Sequence, residues 1–207
     1  MDEITSKLSK VQINEEARAD KRCVDSFCKL DDEIDIGSFV LSSYFTSVCD
    51  VMLDKEMNVK TGKKKRKTDI VFRPNIEVEL WESHTEWIYV ITCDSKIMKI
   101  GGTRTGLKAR TQSYLCGRPE YRKNGTCSTT NYTLYTSILN LLREGCKVEM
   151  FARQLRSYTV TINDFGFEDI EMPVQIYHAF ESKVLEAYKK QTGHYPILSN
   201  NCDKRFT

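Results

Sequence analysis

Apolar positions along the 207-residue chain follow more than one period, and each period predicts a different element. Residues 88–92 form an unbroken apolar, β-branched run; Asp94-Ser95 follows, and a second extended run, 97–100, stops at Gly101-Gly102. Two extended runs about a short polar turn predict a β-hairpin. Past the glycines the period changes. Leu107, Thr111 and Tyr114 stand at helical spacing, and Arg110 and Tyr114, four apart, point the same way on such a helix. A strand tyrosine (Tyr89), a lysine on the paired strand (Lys99) and this Arg/Tyr pair can therefore converge on one spot.

The rest of the chain can be read in the same way. Residues 70–81 alternate but are broken by Arg73-Pro74, which predicts an edge or leading strand. Leu134, Ile138, Leu141 and Leu142 predict a helix capped by Asn131 and ended at Gly145. Residues 146–162 alternate in even register through Val148, Met150, Ala152, Tyr158, Val160 and Ile162, as a third strand with a bend. Residues 175–191 form a helix with Tyr177, Phe180, Val184, Ala187 and Tyr188 on its buried side and Glu181 at the margin of that stripe. At the other end, Ile4, Leu8 and Val11 form one stripe, and 34–51 is an apolar segment around Phe39, Tyr44 and Phe45. These predict an N-terminal helical arm over 1–57, which packs on the core or on a second subunit.

Composition narrows the class. The mean hydropathy is -0.46 and no apolar run is long enough for a bilayer. The charged N-terminus lacks the apolar stretch of a signal peptide, so the chain is expected inside the cell, cytoplasmic in a prokaryote or nuclear in a eukaryotic or viral host. Eight cysteines include no CxxC pair and no flanking histidine cluster, which predicts reduced, mostly buried thiols and argues against a zinc site.

Charge is unevenly spread. Residues 1–57 carry thirteen acids against seven bases, whereas 96–123 carry eight bases against Glu120 alone. The stretch 58–69, with Lys64, Lys65 and Arg66 at its centre, reads as a basic linker: a solvated loop, a DNA-backbone contact or a nuclear signal. In the loop over 116–131, Arg118, Tyr121, Arg122 and Lys123 mix cations with an aromatic ring, as a groove-reading loop does. A polyanion is the natural partner of such a surface.

In chain order, Trp87-Ile88-Tyr89, Lys99-Ile100-Gly101 ten residues after the tyrosine, Arg110 and Tyr114 on a helix, and a late helical Glu181 resemble the GIY-YIG nuclease domain. Trp87 stands where that family usually has glycine, and Lys99 where it usually has tyrosine. The lysine is similar to the family's type II restriction endonuclease branch. The resemblance implies an α/β (α+β) domain over 70–207, with a small three-stranded antiparallel sheet flanked by helices. It implies a sequence-specific double-stranded DNA endonuclease using one divalent cation, Mg²⁺ or Mn²⁺, held by Glu181, and a homodimer for a symmetric site. A repair, recombination or mobile-element nuclease, or a non-catalytic DNA binder, are the rival readings.

Phosphodiester hydrolysis needs a proton acceptor for the attacking water, charge stabilisation at phosphorus and help for the leaving oxygen. No histidine lies between 85 and 177, which leaves Tyr89 as candidate base, with the Lys99 ammonium expected to favour its phenolate. Arg110 would clamp a phosphate oxygen, Tyr114 would donate to the phosphate or the water, and Arg104 and Lys108 are further phosphate contacts. Glu186 is a second carboxylate on the Glu181 helix, and Asn200 or Asn201 is a weak further match.

Overall fold

A computed structural model describes residues 30–55, 68–164, 166 and 169–199. After three single 3-10 turns between Leu30 and Tyr44, the described chain forms β1 (Thr46–Leu53), β2 (Ile70–Pro74) and a short helix α1 (Val78–Glu82). The hairpin β3 (Trp87–Cys93) and β4 (Lys96–Thr103) follows, then α2 (Leu107–Leu115), α3 (Pro119–Lys123) and α4 (Thr129–Arg143). The chain continues through β5 (Val148–Gln154), β6 (Tyr158–Ile162), β7 (Ile170–Val174) and α5 (Tyr177–Thr192).

Every residue of β3 is buried, because strands flank it on both sides and helices cover both its faces. A strand in that position reads as one continuous apolar run, and 88–92 does. Asp94 and Ser95 make the turn with φ of 46° and 71°, the left-handed geometry that matches strand twist in a two-residue hairpin.

The sheet corrects the expected three strands to five, all antiparallel, in the order β2-β1-β5-β3-β4, with β6-β7 as a separate two-stranded ribbon. One strand, β1, was hidden in the expected helical arm; β2 is the edge strand expected over 70–81, shortened to Ile70–Pro74 and followed by α1. Val48, Cys49 and Val51 of β1 are buried, and a register shift between Ser47 and Cys49 breaks the alternation that marks a strand. The described part of the arm is thus 3-10 turns and a core strand; the stripe Ile4, Leu8, Val11 and the basic centre Lys64, Lys65 and Arg66 lie outside the described residues.

The expected bent strand over 146–162 is two strands in different sheets. Its apolar parity continues unchanged across the break at 155–157, so the pattern carries no sign of it. In the ribbon, Tyr158, Val160, Ile162, Ile170 and Met172 are all exposed, and the pairs Val160↔Met172 and Ile162↔Ile170 put their side chains on one face. Helix α4 starts earlier than expected: Ser128 Oγ accepts from Asn131 N at 3.2 Å, while Asn131 Nδ2 donates to Ser113 O at 2.9 Å and ties α4 to α2.

The two faces of the sheet carry separate cores. One packs Tyr89, Ile91 and Met150 against Leu107 and Tyr114 of α2 and Leu134, Tyr135 and Ile138 of α4. The other packs Ile88, Val90, Ile97 and Ile100 against Val184, Leu185 and Tyr188 of α5. Buried Glu33 fastens this second side by accepting from the Tyr188 hydroxyl and, at 2.9 Å, from Ile197 N. No described helix is long and apolar enough to cross a membrane.

Candidate active site

Edge strand β4 separates the two cores, and the candidate residues gather where it loses its side chains. Tyr89 faces Gly101 across the hairpin. A Cβ on Gly101 would overlap the Tyr89 phenol, so glycine is what lets that ring lie across the strand. On the opposite side, a Cβ on Gly102 would stand 2.7 Å from the Tyr177 ring and 3.1 Å from Glu181 Oε2. The double glycine therefore lets a helix-borne carboxylate and a strand-borne phenol approach one short length of backbone from two directions. Helix α5 brings Tyr177 and Glu181, one turn apart, to this point.

Helix α2 supplies the cation. Arg110 Nε donates to Tyr89 Oη at 2.9 Å, and its guanidinium carbon lies 4.6 Å from the centre of the Tyr114 ring. The Tyr89 and Tyr114 hydroxyls share a short hydrogen bond. Both rings are fully buried. Burial raises the Tyr89 pKa above the ordinary phenol value, opposed by Arg110 beside it; burial and the neighbouring Tyr89 raise Tyr114 further. Both are phenols in the free chain at neutral pH.

Lys99 sits on the Tyr89 side of β4, opposite Ile91, and is buried. Its Nζ donates to Leu198 O at 3.0 Å, and Ser199 Oγ both accepts from Ile100 N and donates to Ile100 O, so the segment 198–199 closes this part of the edge. Burial first, and Arg110 second, lower the Lys99 amine to about 8, against the pull of Glu181. The expected partnership is therefore rearranged: the cation on the Tyr89 hydroxyl is Arg110, while the Lys99 ammonium donates to Leu198 O. Burial raises the Glu181 carboxyl, opposed by Lys99, His178 and Arg110 and by the Gly102 N–H that it accepts.

Five predicted residues, Tyr89, Lys99, Arg110, Tyr114 and Glu181, thus share one locality. The predicted DNA contacts are less uniform. Arg104 and Lys123 are exposed, but Lys108 is paired with Glu82 at 2.7 Å. Arg118 stacks 4.4 Å from the Tyr121 ring centre, and Arg122 donates to Cys127 O. Glu186 holds the Tyr195 hydroxyl instead of facing the site. Asn200 and Asn201 lie outside the described residues.

Sequence reasoning missed a cleft of about 460 Å³ at the foot of the ribbon, lined by His84, Glu86, Arg104, Arg156 and Tyr158 among others. Arg104 acts on the Tyr177 phenol together with Glu181, which links the cleft to the site. Tyr177 was legible as the residue four before Glu181; Arg156 was not, because it lies in the break between β5 and β6.

A buried phenol, a guanidinium, a lysine of lowered pKa and a carboxylate around bare backbone form a set suited to hydrolysing a phosphodiester. No family model and no curated protein matches the chain. Among solved structures, it is similar to restriction endonuclease HPY188I in complex with product DNA, at 30% identity over 82% of this chain and 88% of that one, with a TM-score of 0.54. A mutant of bacteriophage T4 EndoII matches at 20% identity over 75% of this chain and 93% of that one, with a TM-score of 0.48. The protein is an endodeoxyribonuclease. More narrowly, the chain belongs to the family of restriction endonuclease HPY188I. The GIY-YIG attribution is corrected accordingly: no family model matches the chain, and the family shown is that of restriction endonuclease HPY188I.

Proposed function

We propose that the chain is a sequence-specific double-stranded DNA endonuclease that cuts with Tyr89 as proton acceptor and Mg²⁺, or another hard divalent cation such as Mn²⁺, at Glu181. The observation that carries this reading is the Arg110-to-Tyr89 hydrogen bond beside Gly101, within electrostatic reach of Lys99 and Glu181. Arg110 donates to the phenol oxygen and so favours its phenolate, which the free chain lacks.

Glu181 suits a hard dication. It is a carboxylate oxygen donor set among Lys99, His178 and Arg110, and it is not part of any cluster of three ligand groups among the described residues. A single carboxylate plus water and phosphate oxygens is how Mg²⁺ is ordinarily held at such sites. The cation supplies Lewis-acid polarisation of the phosphate and neutralises the leaving oxygen.

The chain's own residues do the rest. The scissile phosphate lies over Gly101-Gly102, where Arg110 keeps its Nε on the Tyr89 oxygen and offers its remaining N–H groups to a non-bridging oxygen. Lys99, its amine half neutral near pH 8, takes up the phenol proton while Arg110 holds the phenolate. Tyr89 then removes a proton from the attacking water as its oxygen bonds to phosphorus and the phosphorus–oxygen bond to the leaving nucleotide breaks. Tyr114 donates to the phosphate. Arg104 and Arg156, lining the cleft beside Tyr177, hold flanking phosphates. Two copies, each cutting one strand of a symmetric site, complete the enzyme.

Incubating DNA from several unrelated sources with wild type and Glu181→Gln, with and without Mg²⁺, tests the reading. Discrete, metal-dependent fragments made only by wild type are expected. DNA binding without cleavage across metals and pH would replace it with that of a non-catalytic binder.

A further inference from the structure

The opposite end of the hairpin from the active site holds a second constellation. Cys93, the last residue of β3, Asp94 in the turn and Cys146, two residues before β5, bring two thiol sulfurs and a carboxylate oxygen within 4.8 Å of one another. We infer that Cys93, Asp94 and Cys146 form a site for a thiophilic divalent cation of the Zn²⁺ class, separate from the cation at Glu181.

The sequence argues against zinc because its cysteines include no CxxC pair and no flanking histidine cluster, and the fold removes that objection for Cys93 and Cys146. Pairing of β3 with β5 sets Cys93 opposite Val148, which carries Cys146 to its side. The backbone is fastened there. Asp94 N donates to Lys147 O and Lys147 N donates to Asp94 Oδ1, both at 2.8 Å, so the carboxylate is oriented by one oxygen while it can ligate through the other. Zinc–sulfur bonds of about 2.3 Å and zinc–oxygen bonds of about 2.0–2.2 Å place tetrahedral ligand atoms roughly 3.3–3.8 Å apart. Drawing the three atoms together therefore takes about an ångström.

Charge and access agree with a cation. Cys93 is buried, Cys146 half-buried and Asp94 exposed, so the site opens on the turn side, where water can fill the fourth position. Asp94 and Glu144 both bear electrostatically on Cys146. Lys147, the nearest base in sequence, is engaged with Glu149 at 2.9 Å and so leaves the thiols uncompensated. A cation is bound by thiolates and not by thiols, so metal uptake releases protons and strengthens as pH rises. Two thiolates select Zn²⁺ over Mg²⁺, whereas the lone carboxylate Glu181 selects the reverse. A bound cation would clip the β3–β4 turn to the loop between α4 and β5.

The test uses full-length protein, reduced and metal-free under inert gas, titrated with Co²⁺ and then Zn²⁺ in excess Mg²⁺. Wild type and Glu181→Gln should each take up one equivalent of Co²⁺ with a thiolate charge-transfer absorption, and Zn²⁺ should abolish that absorption. The Cys93→Ser/Cys146→Ser variant should lose it entirely. Asp94→Asn, at an exposed turn that leaves the core untouched, should keep its fold and bind more weakly. Absence of the thiolate band in wild type would overturn the assignment. So would its persistence in the double serine variant, or a Cys93–Cys146 disulfide forming in place of metal uptake.

Discussion

The two ends of the β3–β4 hairpin gather opposite kinds of chemistry on one pair of strands. At the glycine end, Tyr89, Arg110, Lys99 and Glu181 combine oxygen and nitrogen groups whose ionisation burial has moved. At the turn end, Cys93, Asp94 and Cys146 combine soft thiols with one carboxylate. The four residue steps from Tyr89 to Cys93 span about 13 Å of strand. A single buried strand thus carries two clusters of different side-chain chemistry. What differs is the partner: helices α2 and α5 converge on the glycines, while a sheet neighbour and its loop converge on the turn.

The largest expected effect breaks the glycine end only. Arg110→Ala removes the donor to Tyr89 and the phosphate clamp together, and cleavage should fall by roughly 10²–10³-fold while Co²⁺ absorption at the turn stays as in wild type. Single-turnover cleavage and a cobalt titration on the same preparation check both halves. Loss of both would mean that the two ends are one cooperative site.

Next in size is the pH dependence. Burial holds the folded Lys99 pKa at about 8, below the 10.5 of an exposed lysine, so the neutral amine appears as pH rises through about 8. Cleavage should climb with pH and level there. Lys99→Arg, charged at every pH, should flatten the profile and lower it by about 10²-fold. The same shift acts on folding: between about 8 and 10.5 the unfolded chain binds the extra proton, so stability should rise with pH across that window, as denaturant melts would report.

A smaller effect probes the backbone. Gly102→Ala places a methyl 2.7 Å from Tyr177 and 3.1 Å from Glu181 Oε2 and should weaken Mg²⁺ activation about tenfold without loss of DNA binding. The Mg²⁺ concentration for half-maximal cleavage measures it; an unchanged value would remove Glu181 from the metal site. Smallest of all, Val160→Thr on the exposed ribbon should change stability by less than about 0.5 kcal/mol, read from chemical denaturation.

The sequence pattern revealed this molecule unevenly, for physical reasons. The hairpin, its turn at Asp94-Ser95, helix α2 and the extent of helix α5 were legible because each follows a single period with clear stops, although Phe180, expected on the buried side of α5, is exposed. Strand β1 was not, because a bulge breaks its alternation and its neighbour in the chain is an aromatic segment that also suits a helix. The β5–β6 break was invisible because parity runs through it. Within the site, the convergence of Tyr89, Lys99, Arg110 and Tyr114 was readable from spacing, whereas Glu181 was singled out by the resemblance to a nuclease family and by its place at the margin of the apolar stripe. The identity of the cation on Tyr89 was not, since both Lys99 and Arg110 are basic and only the packing of α2 decides which reaches the hydroxyl. The Cys93–Cys146 proximity arises from strand pairing alone, which spacing along the chain does not encode.

Single-turnover cleavage by Tyr89→Phe, in Mg²⁺ and across pH, tests the central claim most directly, because the substitution removes one oxygen and leaves the ring, its burial and the DNA surface in place. The account predicts unchanged DNA affinity, with cleavage reduced by about 10³-fold at every pH. Cleavage at the wild-type rate with the wild-type pH profile would contradict it and move the proton acceptor away from Tyr89.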